Sequence, residues 1–211
     1  AKNSSRYIIG IGQSGIGLDP EYYTHPNEQQ KAVVAAYKSL NNDLLKMVGN
    51  APAVAKKKME AAFALEDRIA KVSYDQVKSR DPQANYHPMT WEQLLKDYPG
   101  IDWNYLLKAT GFPDNGGKVD VGQPEPVHEV EKILATAPLE SLKAYMELAV
   151  VSSAAGMLSD NFTDRKFEYT KVAYGVQQQQ PRWKRALSFV QGIMGEAVGK
   201  LYVQKYFPES S

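Results

Sequence analysis

The sequence of 211 residues contains no cysteine and only three histidines. The missing cysteines exclude disulfide bonds, cysteine nucleophiles and thiolate metal ligands. The histidines, His25, His87 and His128, lie far apart in the sequence. Because structural zinc sites draw their ligands mainly from cysteine and histidine, the composition argues against a zinc site formed by this chain alone.

The chain also lacks an excess of charge of either sign. Its 25 basic and 24 acidic residues leave a net charge of +1. The sequence therefore predicts neither a nucleic-acid-binding surface nor a basic membrane-binding one. A basic cluster at Arg182, Lys184 and Arg185 has no further basic stripe beside it, and we interpret it as solvated or paired with carboxylates. No apolar run approaches the roughly 20 residues of a membrane span.

Two chemical motifs begin in the sequence and are not completed. His128-Glu129 starts like the zinc motif H-E-x-x-H, but Lys132 stands where the second histidine would bind the metal. Residues 10–15 match G-x-G-x-x-G, but Asp19-Pro20 follow where a dinucleotide-binding fold would continue into a helix. We therefore predict that the glycine tract is a structural loop, and we assign no catalytic, cofactor-binding or metal-binding residue.

What the sequence does contain is helical periodicity. Apolar residues recur every three or four positions from residue 26 onward, which predicts amphipathic helices. We predict an all-α fold: a multi-helix, non-catalytic domain with long packed helices over residues 26–211, after an extended glycine-rich segment over residues 1–25. At most two short strands are expected, near Tyr7–Gly10 and over Lys118–Val121. Helices are predicted over residues 28–48, 52–79, 90–96, 103–110, 126–136, 138–158, 161–174 and 181–207.

The segment Pro181–Phe207 has the strongest helical pattern. Six apolar residues fall on one face, and three glycines lie roughly opposite. Each glycine inside a helix costs about 1 kcal/mol relative to alanine, and close approach of another element is the usual compensation. We therefore expect this helix to be buried on two sides, with Trp183 as a core anchor. The apolar residues are Trp183, Leu187, Val190, Met194, Val198 and Leu201, and the glycines are Gly192, Gly195 and Gly199.

Several stretches are distinctive beyond their helical spacing. They are Gly12–Leu18 (GQSGIGL) with Tyr22-Tyr23, Arg80–Pro82 (RDP) with Asn85–Thr90 (NYHPMT), Asp102-Trp103, and Arg182–Arg185 (RWKR) with Ala197–Val203 (AVGKLYV). In this order they resemble the neprilysin and endothelin-converting-enzyme family of zinc metallopeptidases, including its bacterial oligopeptidases. The resemblance covers essentially the whole chain. Asp19-Pro20 departs from the family, in which Pro-Asp is usual.

The resemblance implies that the chain is part of a longer enzyme. Members of the family carry a thermolysin-like catalytic domain with H-E-x-x-H and a downstream glutamate ligand. The residues present here match the mainly helical domain that faces the catalytic domain across a central cavity. The implied cofactor is zinc in the full-length parent and none in this fragment. The implied partners are the parent's own C-terminal catalytic domain and peptide substrates.

Two functions are compatible with the sequence. The first is the non-catalytic N-terminal domain of a neprilysin-like zinc metalloendopeptidase, which covers the active-site cavity and restricts substrates to short peptides. The second is a free-standing helical protein-interaction module without enzymatic activity. The chain opens in the polar stretch AKNSSR without a signal-peptide pattern, which is what a segment of a longer protein would show. The resemblance favours a periplasmic or secreted location, and a cytoplasmic one is also compatible.

Overall fold

The computed structural model of the chain describes residue 5 and residues 7–112 and 117–207. It divides into two compact units, Ala1–Ala173 and Tyr174–Ser211. Within the described ranges there are three short strands and nine α-helices. The strands are β1 (Ile9–Ile11), β2 (Pro88–Thr90) and β3 (Lys118–Val121). The helices are α1 (Pro20–Thr24), α2 (Glu28–Met47), α3 (Pro52–Ala70), α4 (Trp91–Asp97), α5 (Trp103–Ala109), α6 (Pro124–Thr136), α7 (Leu139–Ala154), α8 (Asp160–Tyr174) and α9 (Arg182–Tyr206).

Helices α2, α3 and α7 pack together to form the main helical core of the first unit. Asn27 and Gln30 close the start of α2 as a reciprocal capping box, which satisfies N–H groups that the helix itself leaves unpaired. Pro52 starts α3, at a position where its missing N–H costs nothing. The three helices meet at a cluster of buried side chains: Leu45, Ala55, Met59, Ala62 and Leu148.

The small residues near the end of α7 allow close packing, as the sequence predicts. Ala155 is fully buried against Leu40 and Leu44 of α2. Helix α8 is held to α2 by Arg165, whose Nε lies 2.8 Å from Oδ2 of Asp43. Because this ion pair is partly exposed, we expect it to fix orientation more than to add stability.

The three strands form one small sheet in the order β1-β3-β2. Strand β1 runs parallel to β3, with Ile9 opposite Val119, and β2 runs antiparallel to it, with Met89 also opposite Val119. Val119 and Val121 are completely buried and pack with side chains of α4, α5 and α6. The sheet thus anchors a second core, formed by Leu94, Tyr98, Trp103, Val119, Val121 and Val127.

The mainly helical architecture is confirmed, with several differences of detail. Strand β3 has the predicted bounds, and β1 lies close to the predicted position. Strand β2 is a third strand that the sequence pattern does not predict, because three residues are too few to show alternation. Residues 20–24 form the short helix α1 inside the segment expected to be extended, with Pro20 at its first turn.

The prediction that the second long helix continues to Ser79 is wrong. Helix α3 ends at Ala70. Its apolar stripe ends at Ile69. Beyond it, the side chain of Gln13 hydrogen-bonds both backbone groups of Tyr74: Tyr74 N donates to Oε1 over 2.7 Å, and Tyr74 O accepts from Nε2 over 2.9 Å. A backbone group engaged in this way is not available to a helix.

The expected two-sided burial of the last helix is also wrong for this chain. Helix α9 has no buried residue among those described, and Trp183 is 63% exposed. A Cβ built on Gly192, Gly195 or Gly199 would meet no atom within 4 Å. The reason is that α9 makes up nearly all of the described part of its unit, so the unit offers no second element to cover it.

Candidate functional site: the glycine-rich loop and its cavity

The residues that begin like a zinc motif make structural contacts on α6. Glu129 Oε1 accepts from Arg68 of α3 at 2.8 Å, and Lys132 lies on the far side of the same carboxylate. His128 stacks on Tyr98 with ring centroids 4.3 Å apart, and its Nδ1 lies 3.1 Å from Glu131. The described residues contain no group of three His, Cys, Asp or Glu side chains that could hold a metal ion.

The glycine tract after β1 is a loop held by long-range hydrogen bonds. No helix follows Gly15 directly, as the sequence predicts, and α1 begins only at Pro20. Besides its two bonds to Tyr74, Gln13 donates its backbone N–H to Gln123 Oε1 over 2.7 Å. The Tyr145 hydroxyl donates to the carbonyl of Gly15 over 2.8 Å. The loop is therefore tied to the turn after α3, to the start of α6 and to α7.

A buried glutamate fastens the end of the same loop. Glu66 of α3 is 6% exposed and accepts hydrogen bonds from the hydroxyls of Tyr23 and Tyr37, each 2.8 Å long. The Tyr23 hydroxyl in turn accepts from the backbone N–H groups of Gly17 and Leu18. We call Glu66, Tyr23 and Tyr37 the carboxylate hub.

Burial dominates the electrostatics of the carboxylate hub. It raises the pKa of Glu66 above its usual value, although both tyrosine hydroxyls donate to the carboxylate and oppose the rise. Burial, followed by the nearby charge of Glu66, raises the pKa of Tyr23 and of Tyr37 well above the usual range. Both phenols therefore stay protonated at neutral pH and remain donors. A Cβ added at Gly17 would overlap the phenol of Tyr37, so the hub fits only against glycine.

An apolar cavity of about 410 Å³ lies between the loop and the helices α3, α6 and α7. Its walls come from five parts of the first unit and include no charged residue. They comprise Ile11–Gly15 of the loop, Leu65 and Ile69 of α3, Ile101 and Trp103, Pro126, Val127, Val130, Ile133 and Leu134 of α6, and Leu142, Tyr145 and Met146 of α7.

Gly15 leaves less room for a side chain than Gly12, the other glycine in the wall. Its φ of +90° is a backbone conformation that favours glycine, and an added Cβ would lie 2.9 Å from the Tyr145 hydroxyl. Leu134 and Met146, which also line the cavity, are 50% and 60% exposed. The cavity therefore reaches solvent beside these two side chains.

A second hollow, of about 470 Å³, lies between α1 and the turn after α3 and has charged walls. Lys71, Asp75, Lys78 and Glu125 all contribute to it. The Tyr74 hydroxyl donates to Glu125 over 2.8 Å, and burial together with this carboxylate raises the pKa of Tyr74 to about 12. Because charges of both signs line the hollow, its electrostatics favour no particular ligand, and we assign none.

Sequence reasoning missed both the carboxylate hub and the cavity. One signal was available: Glu66 lies between Ala62 and Ile69 on the buried stripe of α3, where a carboxylate is unusual unless it is hydrogen-bonded. Its tyrosine partners come from elements 29 and 43 residues away, and no local pattern connects them.

Comparison with known proteins places the chain in a known family. The N-terminal-domain model of peptidase family M13 matches residues 1–211, so the chain belongs to peptidase family M13. Human endothelin-converting enzyme 1 is 28% identical over 222 residues, which cover 100% of this chain and 28% of that protein. Human membrane metallo-endopeptidase-like 1 is 29% identical over 225 residues, covering 100% of this chain and 29% of that protein.

Solved structures agree with this assignment. The inhibitor complex of Mycobacterium tuberculosis zinc metalloprotease Zmp1 is 34% identical, with a TM-score of 0.89, and covers 97% of this chain and 32% of that one. PepO from Lactobacillus rhamnosis HN001 is 20% identical, with a TM-score of 0.81 over 95% of this chain and 32% of that one, and so supports the fold alone. The chain spans less than a third of the length of these relatives.

The comparisons confirm the resemblance on which the sequence analysis relied. The chain corresponds to an N-terminal region of the family that includes proteins of the neprilysin and endothelin-converting-enzyme type. Among the helices of the described ranges, none has the length and hydropathy needed to cross a bilayer.

Proposed function

We propose that this chain is the non-catalytic helical domain of a zinc metalloendopeptidase, that it covers the active-site cavity, and that it restricts substrates to short peptides. The proposal rests on how much of this chain, and how much of each relative, the matches cover. The family model matches every residue of the chain, whereas the chain matches only 28–32% of its relatives, among them a zinc metalloprotease. The chemistry then belongs to the part of the parent outside this match.

No residue of this chain is assigned to the zinc ion. The described residues do not fit a zinc site, because no three potential ligands come together among them. When bound in the parent, the zinc would supply Lewis-acid activation of water and of the scissile carbonyl. The role left for this chain is to decide which substrates reach that metal.

A domain that excludes folded proteins from an active site must be rigid. The first unit has features that make it rigid. The α2, α3 and α7 core is fully buried at Leu45, Ala55 and Ala62. The carboxylate hub and the bonds of Gln13 fix the glycine-rich loop between β1 and α1, which has no helix or strand of its own. Close-packed interiors of this kind resist deformation.

The size filter is tested with the full-length protein and three substrates that share one cleavable sequence. The sequence is presented in a short peptide, in a long unfolded chain and in an exposed loop of a folded protein. We expect turnover of the short peptide, abolished by a chelator, and at least tenfold lower kcat/KM for the folded substrate. The unfolded chain is the control that separates rejection of bulk from rejection of length. Equal kcat/KM for all three substrates would contradict the filter.

Access to a covered active site requires the two domains to part, a motion that commonly takes microseconds to milliseconds. A disulfide engineered between this domain and the catalytic domain tests this requirement. The present chain contributes no competing cysteine. Peptide turnover is expected to fall on oxidation and to return on reduction, while each single-cysteine variant stays unaffected. Unchanged turnover in the oxidised double variant would rule out gating by domain separation.

A second candidate is a free-standing helical interaction module, which the exposed apolar residues of α9 favour. The parent's reading frame separates the two. An H-E-x-x-H motif downstream of Ser211 supports the peptidase domain, and a stop codon soon after Ser211 supports the module.

A further inference from the structure

The apolar cavity beside the glycine-rich loop has the dimensions of a small-molecule site. Its volume is about 410 Å³, within the range of roughly 300–1,000 Å³ that is usual for ligand pockets. Because the cavity opens to solvent beside Leu134 and Met146, a small molecule can reach it without unfolding of the first unit.

The walls of the cavity determine the charge of what it can bind. Every lining residue is apolar or glycine except Gln13, Ser14 and Tyr145, and none of them is ionisable at neutral pH. A charged ligand would lose hydration in this space and would find no charged partner in the walls. The cavity therefore selects neutral ligands.

Most of the polar side chains in the walls are already hydrogen-bonded. Both atoms of the Gln13 carboxamide are bonded to the backbone of Tyr74, and the Tyr145 hydroxyl donates to Gly15. Ser14 is exposed on the loop and offers a single hydroxyl. A peptide would bring several backbone N–H and C=O groups, each of which costs about 1–3 kcal/mol if buried without a partner. These walls therefore suit a molecule with few polar atoms better than a peptide.

We propose that this cavity is a binding site for one small, neutral, apolar molecule of aromatic or branched aliphatic character. Such a ligand enters beside Leu134 and Met146 and packs against Ile133, Leu142 and Ile69. The proposal concerns the first unit alone and does not depend on the proposed function.

The probe for the test is N-phenylnaphthylamine, a neutral dye whose fluorescence rises in apolar surroundings, titrated into the 211-residue chain. Its counter-probe is anilinonaphthalene sulfonate, which shares the aromatic core and adds a negative charge. We expect saturable binding of one neutral dye per chain and at least about tenfold weaker binding of the anionic dye, a difference of about 1.4 kcal/mol. Because α9 also exposes apolar side chains, methyl NMR shifts at Val130, Ile133 and Met146 locate the bound dye.

Two variants and their matched controls test the position of the site. Val130→Phe fills the cavity, and Val150→Phe places the same ring on α7 at a residue that is 62% exposed and outside the walls. The first is expected to weaken dye binding at least tenfold and the second to leave it unchanged. If Val130→Phe fails to fold, Met146→Lys introduces a charge at the exposed edge of the cavity, with Val150→Lys as its control.

Three results would overturn the proposal. The first is unsaturable binding or equal affinity for the two dyes. The second is equal dye affinity in the cavity variants and their controls. The third is displacement of the dye by the capped dipeptide acetyl-Phe-Leu-amide at a similar concentration, which would assign the cavity to a polypeptide side chain. Loss of neutral-dye binding in the cavity variants alone, without displacement by the dipeptide, supports the assignment.

Discussion

Helix α3 and helix α9 both carry apolar residues at three- and four-residue spacing, but only α3 buries them. In α3, Ala55, Ala62, Leu65 and Ile69 are at most 6% exposed. In α9, which is kinked at Met194, the corresponding stripe is open, and Leu201 is 67% exposed. The spacing of a sequence thus predicts that a helix forms and which face is apolar. It does not predict which element covers that face.

The glycines of the two units show the same contrast. Gly15 and Gly17 stand where a Cβ would collide with Tyr145 or Tyr37. Gly195 and Gly199 of α9 stand where a Cβ would meet nothing within 4 Å. At Gly15 and Gly17 of the first unit, glycine is required by contacts with neighbouring side chains. In α9 glycine costs helix stability, and no contact among the described residues compensates.

The largest expected effect is on the free energy of unfolding, and it is measured by replacing one leucine in each of these two helices. Leu65→Ala in α3 removes a side chain that is 6% exposed and should lower the free energy of unfolding by about 2–5 kcal/mol. Leu201→Ala in α9 removes one that is 67% exposed and should change it by less than about 0.5 kcal/mol. Urea unfolding of the 211-residue chain measures both. Equal losses would show that the stripe of α9 is covered in solution.

The next largest effect is expected on the stability of the chain when Gly17 is replaced. Gly17→Ala forces the phenol of Tyr37 away from Glu66 and should cost about 1–3 kcal/mol. Gly10→Ala is the control, because a Cβ there meets nothing within 4 Å. Thermal unfolding followed by circular dichroism compares the two. Similar melting temperatures for the two variants would mean that Tyr37 moves without cost and that the carboxylate hub is not rigid.

The pH dependence of stability tests whether Glu66 is as buried as the core of the first unit. Its pKa is raised in the folded chain, so the folded state holds the proton more tightly than the unfolded state. The stability from this group is present below the usual pKa of 4.5 and is lost as the pH rises above it. The stability of the wild type relative to Glu66→Gln should therefore fall between pH 4 and pH 8.

Glu147 provides a control of opposite sign. Hydrogen bonds from Lys58 and then Asn50 lower its pKa, so its contribution is present above pH 4.5 and is lost as the pH falls. The stability of the wild type relative to Glu147→Gln should therefore rise with pH up to about pH 5 and stay level above it. Urea titrations at five pH values measure both differences. Slopes of the same sign would contradict the assigned environments.

The smallest effect is expected at a glycine of α9. Gly199→Ala should stabilise the helix by about 0.5–1 kcal/mol, because alanine is the better helix former and the position is open. Far-ultraviolet circular dichroism of the 211-residue chain should show equal or greater helicity. A loss of helicity or stability would reveal an element packed on the glycine face, and the contrast with α3 would then disappear.

The sequence was sufficient to predict most of the long helices and insufficient to predict what each of them packs against. Periodicity located α2, α7, α8 and α9 to within a few residues, since a helical face is a local property. It extended α3 too far, because the bonds that hold Tyr74 come from Gln13, 61 residues earlier. The cavity and the carboxylate hub depend on such distant pairs throughout, such as Tyr145 with Gly15, which are 130 residues apart.

The bonds of Gln13 have a consequence for how this loop can vary among related sequences. Its carboxamide binds the backbone N–H and C=O of Tyr74 as a neighbouring β-strand would, with one donor and one acceptor. Glutamate has no donor to offer, and asparagine is one methylene too short to reach. A scan of all substitutions should therefore find position 13 intolerant and the neighbouring, exposed Ser14 permissive. The side chain of Gln13 thus makes the two hydrogen bonds that a neighbouring strand would otherwise make. A single residue therefore both ends helix α3 and closes the glycine-rich loop.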